Sequence, residues 1–396
     1  MRIASVVGAR PNFMKLAPIE RELARRPDVE HVVVHTGQHY NPEMSEAFFQ
    51  DLWIPRPQHN LGVGSGTHAQ QTAAVMLRIE PIFQRARPDV VVVYGDVNST
   101  IAAALVAAKL GIRVAHVEAG LRSRDWSMPE EINRVLTDRI SDALFAPSPD
   151  AVENLISEGT PRERVHFVGN VMIDSLCWAL PQARTLDTPA RYGVSGKRFA
   201  VVTLHRPAMV DDPAALREML ETLVTLSADL PVLFPVHPRT RERIRDAGFP
   251  TEGKRGLRLL EPMGYVEMLG LVAVARLVIT DSGGLQEETT HLGVPCLTVR
   301  QNTERPITCQ LGTNRLVAPG RDTVLDAAHL ALDLPPVARP PIERWDGKAA
   351  QRIVATLCDG QRFDLDAPLP ARVPEVPRRI SEPISAAELV PAETAA

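Results

Sequence analysis

The sequence predicts an α/β protein built from two parallel, doubly wound sheets in succession. Three observations carry that expectation. Short runs of β-branched and apolar residues recur along most of the 396-residue chain. Amphipathic stretches of helical spacing separate them. The alternation breaks at one polar segment and then starts again.

Taken in order, "RIASVVG", "EHVVVHTG", "DVVVVYG", "RVAHVEA", "ALFAPS" and "VHFVGN" are continuous apolar runs, as strands covered on both faces are. Helical segments such as "THAQQTAAVMLRIEPIFQRA" and "PEEINRVLTDRISD" lie between them. Residues 182–198, "QARTLDTPARYGVSGKR", read as a connection. The rhythm resumes with "FAVVTLH", "VLFPVH", "LRLLEP", "RLVITD" and "VPCLTV". We expect a first Rossmann-like domain over residues 1–175 and a second over 190–340. A final helix, within residues 345–360 ("GKAAQRIVATLC"), is expected to pack back on the first domain. Residues 361–396, rich in Pro, Ala and Glu without periodicity, read as a disordered tail.

Composition narrows the function classes. With 44 basic against 48 acidic residues and no Lys- or Arg-rich block, no nucleic acid or anionic membrane partner is expected. No stretch reaches the roughly 20 apolar residues that span a bilayer. The N-terminus reads as a first strand rather than a secretory signal. Cys177, Cys296, Cys309 and Cys358 are scattered without metal-ligand spacing. They read as reduced thiols of a cytoplasmic protein, and no metal or cofactor is expected.

In open α/β sheets ligands gather beyond the carboxyl ends of the strands, so the polar residues there are the informative ones. After the first strand, "GARPNFMK" places Arg10 and Lys15 at a helix start. Asp96 and Glu118 follow two further strands, and Pro129 opens a helix with Glu130 and Glu131 in its first turn. In the second half, His205 and His237 each follow a strand, and "DSGGLQEE" spans residues 281–288. Singly, each has an ordinary structural use: Pro-Glu-Glu starts helices well, Asp96 suits a cap, and Asp-Ser-Gly-Gly suits a tight turn. Together they fall on the same strand edges, which points to one crevice between two domains. Bare glycines at a helix start let phosphate oxygens reach main-chain N–H groups, where the dipole favours negative charge. Gly283 and Gly284 are so placed; Arg10 and Arg305 can add bidentate phosphate contacts, and Glu288 can accept from ribose hydroxyls. Neither a GxxxxGK[ST] loop nor a proper dinucleotide fingerprint is present, which points away from ATP and NAD.

The strings "GARPNFMKLAP", "TGQH", "GDVNST", "HVEAGLRS", "PEEINR", "HFVGN", "LHRP", "PVHP" and "TDSGGLQEE…LGVPCLTVR…TERP" resemble, in order and spacing, the bacterial UDP-N-acetylglucosamine 2-epimerases of the non-hydrolysing kind. The resemblance runs from residue 1 to about residue 360. It implies a GT-B-like pair of Rossmann-like domains with a UDP-sugar between them, and a homodimer. The implied reaction interconverts UDP-GlcNAc and UDP-ManNAc by eliminating UDP to a 2-acetamidoglucal and adding it back. By the same resemblance, Asp96, Glu118 and Glu130 match catalytic carboxylates, with Glu131 as the fallback for Glu130. His205 matches a histidine that assists the departing diphosphate. Lys15 and Arg10 match active-site cations, and His237, Ser282, Gly283, Gly284, Glu288 and Arg305 match UDP contacts. Many members follow the histidine with Arg-Arg-Glu and are activated by UDP-GlcNAc. Here the string is His205-Arg206-Pro207-Ala208, so strong dependence on that activation is not expected. Ala9 replaces a usual Thr and "NFMK" a common "EAIK", which leaves room for a diacetamido or uronate sugar. The alternatives are a hydrolysing epimerase that releases ManNAc, a GT-B glycosyltransferase, and a non-catalytic nucleotide-sugar sensor.

Overall fold

The computed structural model describes residues 1–38, 51–250, 252–335 and 341–359; the tail expected from residue 361 lies outside them. The described residues divide into two compact units. One comprises Met1–Trp178 with the described residues from Ile342 onward, and the other lies within Ala179–Pro341.

In the first unit the strands are β1 (Arg2–Val7), β2 (Glu30–His35), β3 (His59–Asn60), β4 (Val90–Tyr94), β5 (Arg113–Val117), β6 (Ala143–Ala146) and β7 (Val165–Phe167). They form one sheet in the order β3-β2-β1-β4-β5-β6-β7, with every pairing parallel. All five residues of β4 are buried, because helices cover both faces and leave no polar side for alternation. On one face Val6, Val34, Val91 and Val93 pack with Ile79, Phe83, Ala103 and Val106 from the helices His68–Ala86 and Asn98–Lys109. The first of these helices opens with a capping box: Thr67 Oγ1 accepts from Gln70 N at 3.2 Å, and Gln70 Oε1 accepts from Thr67 N at 3.1 Å. The strand order reverses at β1 and β4, which makes their carboxyl ends the expected ligand position.

The helix Ala349–Asp359 belongs to this unit and packs on the helix Arg10–Leu23. Asp174 receives its first free amides: Ala349 N at 3.1 Å and Ala350 N at 2.7 Å. Burial lifts the Asp174 carboxyl to about 6, against the pull of those two N–H groups.

The second unit repeats the plan with β8 (Ala200–Thr203), β9 (Val232–Pro235), β10 (Gly253–Lys254), β11 (Leu257–Leu260), β12 (Leu277–Thr280), β13 (Cys296–Val299) and β14 (Asn314–Val317). Their order is β10-β11-β9-β8-β12-β13-β14, parallel except where the two-residue β10 runs against β11. Here the order reverses at β8 and β12. A core of Val202, Phe234, Leu220, Leu223, Ile279 and Val324 lies between sheet and helices.

Three strands were not legible in the sequence. β3 and β10 have two residues each, and β14 reads "NRLV", too short an apolar run to stand out. Asn314 enters β14 because its buried amide donates to Gln286 Oε1 at 3.0 Å and Thr308 Oγ1 at 3.1 Å. Residues 182–198, polar enough to read as a connection, carry the end of the helix Val171–Thr185 and a short helix Thr188–Arg191. Among the described residues no helix is long and apolar enough to cross a membrane.

Candidate active site

In the first unit the candidate residues collect at the carboxyl ends of β1, β4 and β5, which are neighbours in the sheet. Arg10 is the first residue of its helix and is exposed, while Lys15, one turn further, is buried. Asn12 holds this turn in place: its Oδ1 accepts from Gly8 N at 3.0 Å and Ala9 N at 3.1 Å, and its Nδ2 donates to Tyr94 O at 2.8 Å. Lys15 Nζ donates to Glu118 Oε2, and the two side chains are only 5% and 3% exposed. Gly95 makes the approach possible. A Cβ there would lie 2.6 Å from Lys15 Nζ and 3.1 Å from Glu118 Oε2, and its φ of +61° suits glycine.

Glu118 has a backbone φ of 72°, the left-handed region that a glutamate rarely enters. Such strain costs on the order of 1–3 kcal/mol and collects where function holds it. The next acid, Asp96, sits just past β4 with its side chain 24% exposed. It is clamped from the helix Pro129–Ile140: Arg134 Nη2 lies 2.5 Å and Nε 3.2 Å from its Oδ2, and Asn133 Nδ2 donates to its carbonyl at 2.9 Å.

The paired glutamates of that helix have different surroundings. Glu131 is 1% exposed and accepts from Ser123 N at 2.9 Å, Ser123 Oγ at 2.9 Å, Arg124 N at 2.8 Å and Arg134 Nη1. It therefore ties down the loop that precedes its own helix. Glu130 is half-buried, with no partner among the described residues. Below them His116, fully buried, bridges Gly95 O at 2.7 Å and Asp138 Oδ1 at 2.6 Å, fastening the β4 turn to the same helix.

In the second unit the candidates lie at the ends of β8, β9 and β12. The helix Gly283–Leu292 starts straight after β12, and Ser282 at its cap gives no side-chain bond to the first turn. The opening amides are thus not capped from within, which suits a bound anion. Arg305 lies against that turn: a Cβ on Gly283 would be 2.5 Å from its Nη1 and 2.7 Å from Glu304 Oε1. Arg305 is itself buried between Glu287, 2.9 Å from its Nε, and Glu304, which accepts from Nη1. Glu288 is buried and accepts from Tyr265 Oη at 3.0 Å. His237 caps the helix Pro238–Asp246, its Nδ1 accepting from Arg239 N at 3.3 Å.

His205 stands half-exposed past β8. Its Nδ1 is 2.9 Å from Asp281 Oδ1, and the side chains are 51% and 1% exposed. Asp281 Oδ2 accepts from His205 N and Arg206 N, both at 2.8 Å. Burial pushes the Asp281 carboxyl up, but the His205 side chain and those two N–H groups outweigh it, and the net shift is downward.

The family profile described as UDP-N-acetylglucosamine 2-epimerase matches residues 21–358. The chain belongs to that family. It is 40% identical over 368 residues to the UDP-N-acetylglucosamine 2-epimerase of Methanocaldococcus jannaschii, covering 91% of this chain and 100% of the relative. It is 42% identical over 337 residues to the UDP-2,3-diacetamido-2,3-dideoxy-D-glucuronate 2-epimerase of Pseudomonas aeruginosa, covering 84% and 92%. The crystal structure of the Methanocaldococcus jannaschii enzyme with UDP-GlcNAc and UDP superposes with a TM-score of 0.84, over 90% of this chain and 99% of that one. The fold is accordingly α/β with two Rossmann-like domains, of the GT-B-like architecture that the family resemblance implies.

Several residues that shape this epimerase-family site were not singled out in the sequence. Arg134 and Asn133 stood inside "PEEINR"; Arg134, three positions past Glu131, shares its helical face, a spacing that could have found it, whereas Asn133, two positions past, does not. Asp281 was hidden in a string that reads as a turn. Glu287 and Glu304 bear on the helix start through Arg305, a relationship no local spacing reveals.

Proposed function

We propose that the protein is an isomerase that inverts C2 of UDP-N-acetylglucosamine to give UDP-N-acetylmannosamine. The observation that supports this most is Glu118: a buried carboxylate in a strained backbone, paired with buried Lys15, at the end of the strand next to the one that carries clamped Asp96. Packing alone gives no reason to hold an acid that way, whereas proton transfer at a weakly acidic carbon does. Family membership and the relatives named for this reaction support the same reading.

In this reading a carboxylate takes the C2 proton while the C1–O bond to UDP breaks. The C–H electron pair becomes the C1–C2 double bond of a 2-acetamidoglucal, and the C–O pair leaves on the diphosphate. Asp96, Glu118 and Glu130 form the acid–base set, with Glu131 the substitute for Glu130, and Lys15 and Arg10 supply positive charge. The departing diphosphate is received by the amides of Gly283 and Gly284 with Ser282, Arg305 and His205, while His237 and Glu288 hold the nucleoside end. UDP then adds back to C1, and an acid protonates C2 from the opposite face. No net oxidation occurs, so the chemistry calls for no redox cofactor.

The test is incubation with UDP-GlcNAc in D2O followed by NMR. Deuterium at C2 with a steady UDP-ManNAc signal supports the proposal; free ManNAc with stoichiometric UDP replaces it with hydrolysis. A second reading, a 2,3-diacetamido uronate as the sugar, is favoured by the 42% identity to the Pseudomonas aeruginosa enzyme. Running both UDP-sugars in the same assay separates the two. The assembly in this reading is a cytoplasmic homodimer. The homodimer is supported by exposed Leu77, Ile132 and Leu136 on first-unit helices, and light scattering tests it.

A further inference from the structure

We propose that Asp281 is a positioning residue: it fixes His205 in the tautomer that carries its proton on Nδ1, so that Nε2 is the nitrogen presented to the diphosphate. This rests on the assignment of His205 to the leaving group. The geometry comes from adjacent strands, β8 and β12, whose ends are locked in register at Thr203 and Thr280 by a 2.7 Å contact between their hydroxyls. Asp281 N donates to Thr203 O at 3.2 Å, so the carboxylate cannot drift from the β8 end.

The two carboxylate oxygens have separate duties. Oδ2 is filled by the main-chain N–H groups of His205 and Arg206. Oδ1 is buried and has no hydrogen-bond donor with good geometry among the described residues; what faces it, at 2.9 Å, is His205 Nδ1. A buried carboxylate oxygen without a donor is costly, so a small turn of the half-exposed ring that aims Nδ1–H at Oδ1 is favoured. Arg206 completes the clamp, its Nε donating to the Asp281 carbonyl at 3.0 Å. With the ring half-exposed and Nε2 without a partner among the described residues, that nitrogen can take a proton from solvent and then, as the imidazolium, donate it in a hydrogen bond to a bound anion. A carboxylate behind a histidine also steadies the imidazolium that forms when Nε2 takes a proton.

Asp281→Asn separates this role from a merely structural one. Asparagine has one acceptor, which the two main-chain N–H groups claim, so its NH2 group faces Nδ1 and forces the ring to accept there. Histidine-labelled full-length protein, read by 15N NMR, is expected to show His205 as the Nδ1–H form in the wild type and the Nε2–H form in the variant. Turnover of UDP-GlcNAc should fall about 10²-fold or more with KM changed less than about threefold. Placed in a His205→Gln background, Asp281→Asn should cost less than about twofold further. An Nε2–H ring in the wild type, or an equal loss of turnover in the His205→Gln background, overturns the proposal. The tautomer measurement needs no turnover, so it stands or falls separately from the substrate.

Discussion

Lys15 and Glu118 form an ion pair inside the first unit, with their side chains 5% and 3% exposed. Breaking a buried pair by neutralising one member strands the other charge and costs about 3–5 kcal/mol. Glu118→Gln is therefore expected to lower the unfolding free energy by that order and to abolish C2 deuterium exchange. Lys15→Met combined with Glu118→Gln should recover much of the stability and none of the exchange. Urea denaturation of Glu118→Gln, Lys15→Met and the double variant checks this; an additive double variant would refute the pairing as an energetic unit.

Glu130 and Glu131 are expected to fail differently. In Glu131 Oε2 accepts from Ser123 and Arg134 and Oε1 from Arg124 N, so Glu131→Gln turns one of the two acceptors into a donor and should cost about 1–3 kcal/mol of stability. Glu130→Gln should leave the melting midpoint within about 2 °C, since a near-isosteric change at a half-buried side chain that ties nothing down is worth under about 0.5 kcal/mol. Its turnover should nonetheless fall about 10²-fold or more, in line with loss of an acid or base. Full activity in Glu130→Gln would transfer the role to Glu131.

Gly283→Ala adds one methyl group where Arg305 and Glu304 already stand at 2.5 and 2.7 Å. The guanidinium must move away from the helix start, so UDP affinity measured by calorimetry should drop at least tenfold. Overpacking should also cost about 1–3 kcal/mol of stability. Unaltered UDP affinity would show that the guanidinium is not part of the diphosphate contact.

Asp174 links pH to the anchoring of the last helix. Its folded pKa, about 6, lies above the ordinary value of 3.8, so the proton favours the folded state. The stability this group contributes is full below about pH 4 and is lost as pH rises through about 6. Two units correspond to about 3 kcal/mol. Relative to Asp174→Asn, the wild type should therefore lose stability by that order between pH 4 and pH 8. A pH-independent difference between the two proteins would contradict the assignment.

The long strands and their order of appearance were readable because buried parallel strands leave uninterrupted apolar runs, as in Val90–Tyr94. The strand ends were readable too, since Asp96, Glu118, His205 and Ser282 each follow such a run directly. What the sequence withheld is pairing. Nothing local says that Arg134 reaches Asp96, 38 positions away. Likewise Asp281 meets His205 only because β8 and β12, separated by 73 residues between Thr203 and the start of β12, lie side by side. Glu130 and Glu131 were equal in the string; loop folding, which brings Ser123 and Arg124 onto one of them, made them unequal.

The left-handed backbone at residue 118 has a consequence for anyone who sets out to make this protein sturdier. A glycine there with a hydrocarbon at position 15 would relax the main chain and dispense with two desolvated charges, and replacements of that kind are often stabilising. Heat-challenge screens that score survival alone would gravitate to those two positions and harvest robust, inert proteins. Selection for thermal endurance must therefore be coupled to a readout of sugar inversion from its first round.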